Sequence, residues 1–204
     1  MKFLKLLLPV CLLFTGCEPQ SPPIKGSGKL KTKSTSIANF KSIHLKGDLR
    51  LSVDVNNKGP IFNPLEIATD DNVLPYVKAE VSKETLLVEL TTDSKIFSEM
   101  GVGVSTGASL VESVTLEGLA KAILKGKGDT LKLTAGFKAG FSGADYKVKT
   151  AEVDLGPTAR ATICATEKIT GKVQKGATLI VDCGGDYSAV VVEGSGKIRE
   201  AGKE

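Results

Sequence analysis

The sequence is poor in the residues on which most metal and catalytic centres depend. Among its 204 residues it has no tryptophan, one histidine and four cysteines. So few nitrogen and sulfur ligands exclude the usual zinc sites, and we expect neither a metal nor another cofactor. Enzymes that cleave polysaccharides tend to line their clefts with aromatic side chains, and only 5% of this chain is aromatic. The composition therefore favours a non-catalytic protein.

The chain also lacks an apolar run long enough to cross a membrane. After Lys2 and Lys5, the apolar residues 6–14 are far fewer than the ~18 that a spanning helix needs. A short basic start followed by such a run is typical of a signal peptide, which we place at residues 1–16. Cys11 follows a valine and is interpreted as one more apolar residue of that peptide.

The second cysteine, Cys17, directly follows the small residues Thr15 and Gly16. This ending resembles the lipobox of bacterial lipoproteins, in which the cysteine thiol is acylated and becomes the new N-terminus. We therefore predict that Cys17 is a lipidation site that holds the protein on a membrane. An ordinary secretory signal cleaved nearby is the alternative. Glu18, rather than Asp, favours the outer membrane, and the absence of an acidic run after Cys17 favours the side facing the periplasm, with surface exposure as the alternative.

A short linker separates the anchor from the folded part. Residues 17–27 are rich in Pro, Ser and Gly and have no apolar period, so they are predicted to be a flexible tether. The domain then spans residues 28–202. Without the signal peptide's two lysines, 25 basic residues face 23 acidic ones, a net charge of +2. Such a balanced charge gives no reason to expect specific nucleic-acid recognition.

Alternating apolar and polar residues predict an all-β domain. In residues 43–55 the apolar side chains recur at positions 43, 45, 49, 51, 53 and 55. The same alternation marks four further segments, namely 77–81, 131–135, 151–155 and 178–183. One helical stretch is plausible, around residues 72–77, and Pro75 interrupts it.

A repeat runs through the second half of the chain. Gly136, Gly156 and Gly176 recur at one constant interval. Apolar residues precede and follow them at constant offsets: Leu133, Val153, Val173, Ala139, Ala159 and Leu179. Such a period predicts a β-solenoid with coils of about 20 residues, because a single coil cannot bury its own apolar face. A β-sandwich with evenly spaced strands is the alternative.

Four segments together resemble the head GIN domain family of auto-transporter adhesins. They are residues 26–53, 65–90, 105–118 and 191–202, and the similarity extends over 27–202. Its most specific parts are ATDDNVLPYVKAEV (68–81) and the turns STGAS (105–109) and FSGAD (141–145). The turns LGPTA and QKGAT depart from the pattern, which leaves the coil geometry there open. The resemblance implies a right-handed parallel β-helix-like fold in secreted or lipid-anchored bacterial proteins, without an established activity.

Two patterns point instead to a carbohydrate-active or other hydrolytic enzyme. GVSTG (103–107) matches the G-x-S-x-G of a nucleophile elbow around Ser105, but His44, the only histidine, comes earlier in the chain. The pairs Asp70 with Asp71 and Asp182 with Asp186 have the chemistry of glycoside hydrolysis. Turn formation is the simpler interpretation of all these residues. We therefore assign no catalytic residue and favour a binding or scaffolding module.

One segment has a charge bias that suits such a module. Between residues 121 and 149 seven lysines accompany only two acidic residues: Lys121, Lys125, Lys127, Lys132, Lys138, Lys147 and Lys149. On stacked coils they are predicted to form a stripe facing a surface glycan or another anionic polymer. Solvation and protection of strand edges is the alternative interpretation. A protein partner in the cell envelope is the other candidate ligand.

The last two cysteines, Cys164 and Cys183, are candidates for a disulfide. Their separation along the chain nearly equals one predicted coil, which brings them close on adjacent coils. Simple alternation, however, turns Ile163, Val181 and Cys183 inward and Cys164 outward. Two inert thiols are therefore the alternative.

Overall fold

The computed structural model describes residues 22–55, 62–92 and 95–202. The chain is all-β, and its strands form a nearly closed, barrel-like sheet of mixed parallel and antiparallel pairs beside a small two-stranded sheet. Within these ranges there is no α-helix, and a 3-10 turn, Leu74–Tyr76, holds Pro75. No described helix has the length and apolar character needed to cross a membrane.

Seventeen strands lie in the described ranges. They are β1 Ile24–Lys25, β2 Leu30–Ala38, β3 Ser42–Lys46, β4 Arg50–Asp54, β5 Phe62–Asp70, β6 Val77–Ser82, β7 Thr85–Leu90, β8 Ile96–Phe97, β9 Gly103–Gly107, β10 Ser113–Glu117, β11 Lys121–Lys127, β12 Thr130–Ala135, β13 Gly140–Leu155, β14 Arg160–Val173, β15 Thr178–Asp182, β16 Asp186–Val192 and β17 Lys197–Glu200.

The long strands β13 and β14 each belong to two walls of the sheet. Their first halves join β9, β4, β11, β15 and β17 in what we call the first wall. Their second halves join β7, β3, β10, β12 and β16 in the second wall. Neighbouring strands are parallel within both walls. The antiparallel pairs are β2 with β5, β5 with β9, and β6 with β7.

The apolar alternation predicted for residues 43–55 is confirmed, because all six apolar positions are buried. The segment is nevertheless two strands. Gly47 has a φ of 102°, a conformation that glycine adopts readily, and there the chain turns from the second wall into the first. Ile43 and Leu45 therefore face Leu51 and Val53 across the core rather than lying beside them in one strand.

The even spacing of the glycines does not match the lengths of the coils, a word that we use for the stretch of chain between two residues that pair in register on neighbouring parallel strands. Gly140 pairs with Arg160, and Arg160 pairs with Thr178, so the second of these coils is the shorter one. The residue equivalent to Gly136 and Gly156 is therefore Gln174, whose amide donates to the carbonyl of Leu155 as theirs donate to the preceding coil. Val173, Gly176 and Leu179 are thus out of phase with the positions that the glycine spacing assigned to them.

Short turns carry the chain from the second wall to the first and stack along one side, which we call the turn edge. It consists of residues 47–49, 118–120, 136–139, 156–159, 174–177 and 193–196. Lys138, Thr158 and Gly176 occupy the same place in their turns and all have positive φ, at 61°, 61° and 76°. The turns LGPTA and QKGAT thus keep this backbone conformation despite their departing sequences.

The described part of the predicted tether is in contact with the domain. Ile24 and Lys25 form β1 and pair with Ile96 and Phe97 of β8. The amide of Gly26 donates to the carbonyl of Phe97 at 2.8 Å. The signal peptide, residues 1–16, and Cys17 lie outside the described residues.

Candidate binding surface

Basic side chains line up on the outer face of the first wall. The residue that opens each first-wall strand pairs in register with the opening residue of the next strand. Four of these opening residues are exposed and basic, and because adjacent strands lie ~4.8 Å apart, the opening residues form one row along the wall. This basic column consists of Arg50, Lys121, Arg160 and Lys197, with Gly140 and Thr178 between them.

A sequence signal for this column exists. Each opening residue directly follows a residue that closes a turn, and most closing residues are buried, as are Leu49, Ala120 and Ala159. A repeat alignment centred on these small or apolar residues would have found Arg50 and Arg160. The alignment on glycines begins at Gly136 and therefore does not include Arg50.

Two clefts lie at the end of the turn edge near the basic column. The first has a volume of about 420 Å³, and its lining includes Arg50, Lys121, Phe97 and Met100. The second, of about 430 Å³, lies against Lys46, Lys95, Phe97 and Leu119. Asp48 lines both clefts and Glu89 lines the second, where Lys78 pairs with Glu89 at 3.8 Å. Both clefts therefore combine basic, acidic and apolar side chains.

The segment from Ser98 to Met100, which forms part of the first cleft, is held by a buried carboxylate. Asp70 accepts hydrogen bonds from the Ser98 hydroxyl at 2.5 Å, the Gly28 amide at 2.7 Å and the Met100 amide at 3.3 Å. The Ser98 hydrogen bond is the main reason that the pKa of Asp70 is lowered, and the backbone amides act in the same direction against the opposing effect of burial. Asp70 therefore positions the cleft as an ionised hydrogen-bond acceptor.

Neighbouring residues complete this junction. The Ser27 hydroxyl donates to Asp71 at 2.5 Å, and the Asn72 side chain bonds the backbone of Ser27 and Lys25 at 3.0 and 2.8 Å. At Gly26 a Cβ would lie 2.5 Å from an Asp70 oxygen, so only glycine fits. The acidic pair Asp70 and Asp71 thus ties the N-terminal residues to the domain.

Exposed apolar side chains accompany the clefts along the turn edge. Phe97 and Met100 come from the segment that separates the clefts, and Leu119 and Phe137 from consecutive stacked turns. Their exposed fractions are 58%, 50%, 44% and 55%. The ammonium group of Lys138 lies 4.9 Å from the centroid of the Phe137 ring. We call these four apolar residues the apolar ridge.

The seven predicted lysines are not brought into one stripe. Lys121 and Lys125 lie on the first wall, Lys132 on the second and Lys138 in the turn edge. Lys127 pairs in register with Lys147 at the opposite edge, where Lys149 bonds Asp129 at 2.8 Å. Lys132 lies 3.4 Å from Glu152. The seven lysines lie apart because each corner of the chain starts a new wall or edge, so residues that are close in sequence lie on different faces of the domain.

The candidate nucleophile and its base are on different walls. Ser105 lies in the middle of β9, a straight strand of the first wall rather than a strand-to-helix elbow. His44 lies on β3 in the second wall and bonds Glu117 at 2.6 Å. The structure therefore does not bring Ser105 and His44 together.

The second acidic pair forms local turns. Asp182 accepts a hydrogen bond from the Cys183 amide at 2.8 Å. Asp186 accepts from the Ser188 amide at 2.9 Å and from its hydroxyl at 3.1 Å, and the amide hydrogen bond is the main cause of a lowered pKa at Asp186. No group of three or more metal-binding side chains occurs within the described ranges 22–55, 62–92 and 95–202.

The two C-terminal cysteines are joined in the structure, with their Cα atoms 5.0 Å apart. The predicted orientations, with Cys183 turned inward and Cys164 outward, are wrong. Cys164 is buried together with Ile163 and Ala165 because the chain turns a corner there, which breaks the alternation. Cys183 is exposed and has a φ of 69°, one residue beyond the strand partner of Cys164. The link thus connects consecutive coils at the edge opposite the turn edge.

Comparison with solved structures identifies similar folds at low sequence identity. A "putative adhesin" from Bacteroides fragilis NCTC 9343 has a TM-score of 0.57 and 14% identity, over 87% of this chain and 99% of that one. Another, from Parabacteroides merdae ATCC 43184, has a TM-score of 0.50 and 17% identity, over 89% and 100%. A "putative lipid binding protein" from Parabacteroides distasonis ATCC 8503 has a TM-score of 0.47 and 13% identity, over 88% and 99%.

No family model matches the sequence, and no curated protein does. The first two likenesses therefore establish a shared fold and nothing about activity.

Proposed function

We propose that this chain is a non-catalytic, lipid-anchored module of the bacterial cell envelope that binds an anionic polymer through the basic column. The chain would be anchored at Cys17 in the outer membrane and face the periplasm. Membership of the head GIN domain family and a right-handed parallel β-helix built from stacked coils belong to the same proposal.

Parallel pairing supports the stacked-coil architecture. From β10 onward, strands that lie one coil apart along the chain are direct neighbours, as at Gly140, Arg160 and Thr178. Earlier in the chain, β4 lies between β9 and β11, and β3 lies between β7 and β10. The buried residues of the two walls face each other in one continuous core. An architecture of this kind repeats its outer surface at the strand spacing, which suits a ligand that is itself a repeating chain.

The basic column is the observation that carries the binding proposal. Its four charges lie on rigid strands, and the two intervening positions, Gly140 and Thr178, are small. Lys121 and Arg160 are two strands apart, ~9.6 Å at the usual strand spacing, as are Arg160 and Lys197. A row of like charges raises the local concentration of polyanions and steers their approach.

The test is the binding of dextran sulfate to the mature chain at low and high salt. The triple variant Arg50→Glu, Lys121→Glu, Arg160→Glu should bind about tenfold more weakly or worse, and its binding should lose most of its salt dependence. A matched variant, Lys127→Glu, Lys147→Glu, Lys172→Glu, changes the net charge equally at exposed sites outside the column. If both variants lost the same amount of affinity for dextran sulfate, net charge alone would explain the binding and the proposal would be contradicted.

The anchor has its own test. Cys17→Ser should leave the precursor uncleaved or release the domain in soluble form, because acyl chains supply the membrane affinity. Mass spectrometry of the N-terminal peptide and membrane fractionation measure this. An N-terminal peptide without an acyl mass, together with unchanged fractionation, would contradict lipidation.

A further inference from the structure

From the position of the apolar ridge we infer that it docks on the surface of the same bilayer that holds the lipid anchor. The inference rests on the proposed function only for the anchor at Cys17. The apolar ridge would contact a bilayer with anionic headgroups, and the side chains that would enter the interface are those of Phe97, Met100, Leu119 and Phe137.

The point where the chain enters the domain favours this orientation. β1 pairs with β8, so Lys25 lies directly beside Phe97. From Cys17 to Ile24 the chain can span at most about 25 Å even when fully extended. An acyl group on Cys17 therefore keeps the bilayer within that distance of the part of the domain that holds Phe97 and Met100. The basic column continues away from this point along the first wall.

The four apolar side chains act as one surface because their supports are in contact. Phe97 and Leu119 line one cleft. The amide of Gly136, beside Phe137, donates to the carbonyl of Leu116 near the end of β10 at 2.8 Å, and the amide of Lys138 donates to the carbonyl of Pro157 in the next turn at 3.3 Å. Exposed aromatic and aliphatic side chains on a rigid edge gain free energy when they enter the boundary between headgroups and acyl chains.

The charges around the ridge suit an anionic interface. Lys46 and Lys95 line the second cleft, Arg50 and Lys121 line the first, and Lys138 lies beside Phe137. Lysine and arginine side chains can keep their charged ends among headgroups while their alkyl parts follow apolar neighbours. The acidic neighbours are Asp48, Glu89, Glu99 and Glu117, of which Glu89, Glu99 and Glu117 lie within 4 Å of Lys78, Lys25 and His44.

The absence of tryptophan from the chain makes insertion directly measurable. We would place a single tryptophan at Phe97, at Phe137 or at the exposed control Val191 on β16, in the mature chain with Cys17→Ser. With vesicles of phosphatidylethanolamine and phosphatidylglycerol, emission from positions 97 and 137 should shift to the blue and be quenched by brominated lipid. Position 191 should do neither. Equal responses at all three positions, or none, would overturn the inference.

A second measurement uses partitioning into the same vesicles. Phe97→Ser with Phe137→Ser should weaken it about tenfold or more, whereas Val191→Ser should leave it unchanged. A blue shift that appears without vesicles and rises with protein concentration would identify a second copy as the occupant and overturn the inference. The anchor at Cys17 is tested separately by the N-terminal acyl mass and by membrane fractionation, so a failure of docking is distinguishable from a failure of the proposed function.

Discussion

Both halves of the molecule consist of β-strands, but the strands of the two halves pair in different ways. Residues 113–200 pair only in parallel, coil upon coil, whereas residues 24–107 contain all the antiparallel pairs of the described strands. The buried polar residues Asn63, Thr69, Asp70 and Thr106 all lie in this first half. The N-terminal half contributes most of the first cleft, and the C-terminal half extends the basic column. The parallel strands of the C-terminal half repeat the same outer surface. The N-terminal half, with its antiparallel pairs, instead contains the buried polar residues and most of the first cleft.

The disulfide belongs to the regular half, and its loss should give the largest effect. Closing a loop of this length stabilises a domain by about 3 kcal/mol in the chain-entropy model. Reduction, or Cys164→Ala with Cys183→Ala, should therefore lower the free energy of unfolding by about that amount in urea titrations. The double variant should no longer respond to reductant. Labelling of two free thiols per chain in denatured, unreduced mature protein would mean that the bond is absent.

The Asp70 junction belongs to the irregular half and should give the next largest effect. Because the pKa of Asp70 is lowered in the folded state, its contribution is present above the ordinary pKa of 3.8 and is lost as the pH falls through the folded-state value. Asp70→Asn should destabilise the domain near neutral pH and make its stability less sensitive to acid. Urea midpoints at pH 7 and pH 3 measure both effects.

Hydrogen exchange tells whether that loss is local. In Asp70→Asn, amides of β1, β8 and residues 98–100 should exchange faster, while those of β14 and β15 keep their protection. Asp71→Asn is the matched control, since the Asp71 side chain bonds only Ser27 in the contacts described above. Uniform loss of protection would mean that the two halves unfold as one unit.

Tyr146 links the corner of β13 to the loop before β10 and should have a smaller effect. Its hydroxyl donates to the Val111 carbonyl at 2.6 Å, and burial raises the pKa of Tyr146 to about 12. Tyr146→Phe should cost about 1 kcal/mol. Since the folded-state pKa is above the ordinary value of 10, the neutral hydroxyl stabilises the fold below pH 10, and this contribution is lost as the pH rises toward 12. The stability advantage of the unaltered protein over Tyr146→Phe, measured by urea unfolding, should therefore shrink as the pH rises from 10 toward 12.

Thr158 tests the turn geometry and should have the smallest effect. It has a φ of 61°, where a β-branched residue is strained, while Gly176 occupies the equivalent place without that strain. Thr158→Gly should stabilise the domain by about 0.5 kcal/mol, and Gly176→Ala should destabilise it. Thermal unfolding measures both, and a destabilising Thr158→Gly would show that the threonine side chain contributes more than its backbone costs.

The sequence was sufficient for those parts of the fold that depend on local pattern. Alternation places Ile43, Leu51 and Leu133 in the core, because successive side chains of a strand point to opposite faces whatever its neighbours are. The proximity of Cys164 and Cys183 likewise follows from a separation close to one coil. The signal peptide and the anchor at Cys17 stay predictions, because they lie outside the described residues.

Tertiary structure alone decided what depends on corners and on distant partners. The orientations of Cys164 and Cys183 follow from a corner that alternation cannot anticipate. The basic column depends on pairing across coils of unequal length, and of the seven lysines counted along the chain only Lys121 belongs to it. Asp70 acquires its role from Ser98, Met100 and Gly28, which are distant from it along the chain, because a buried carboxylate is defined by the donors that folding brings to it.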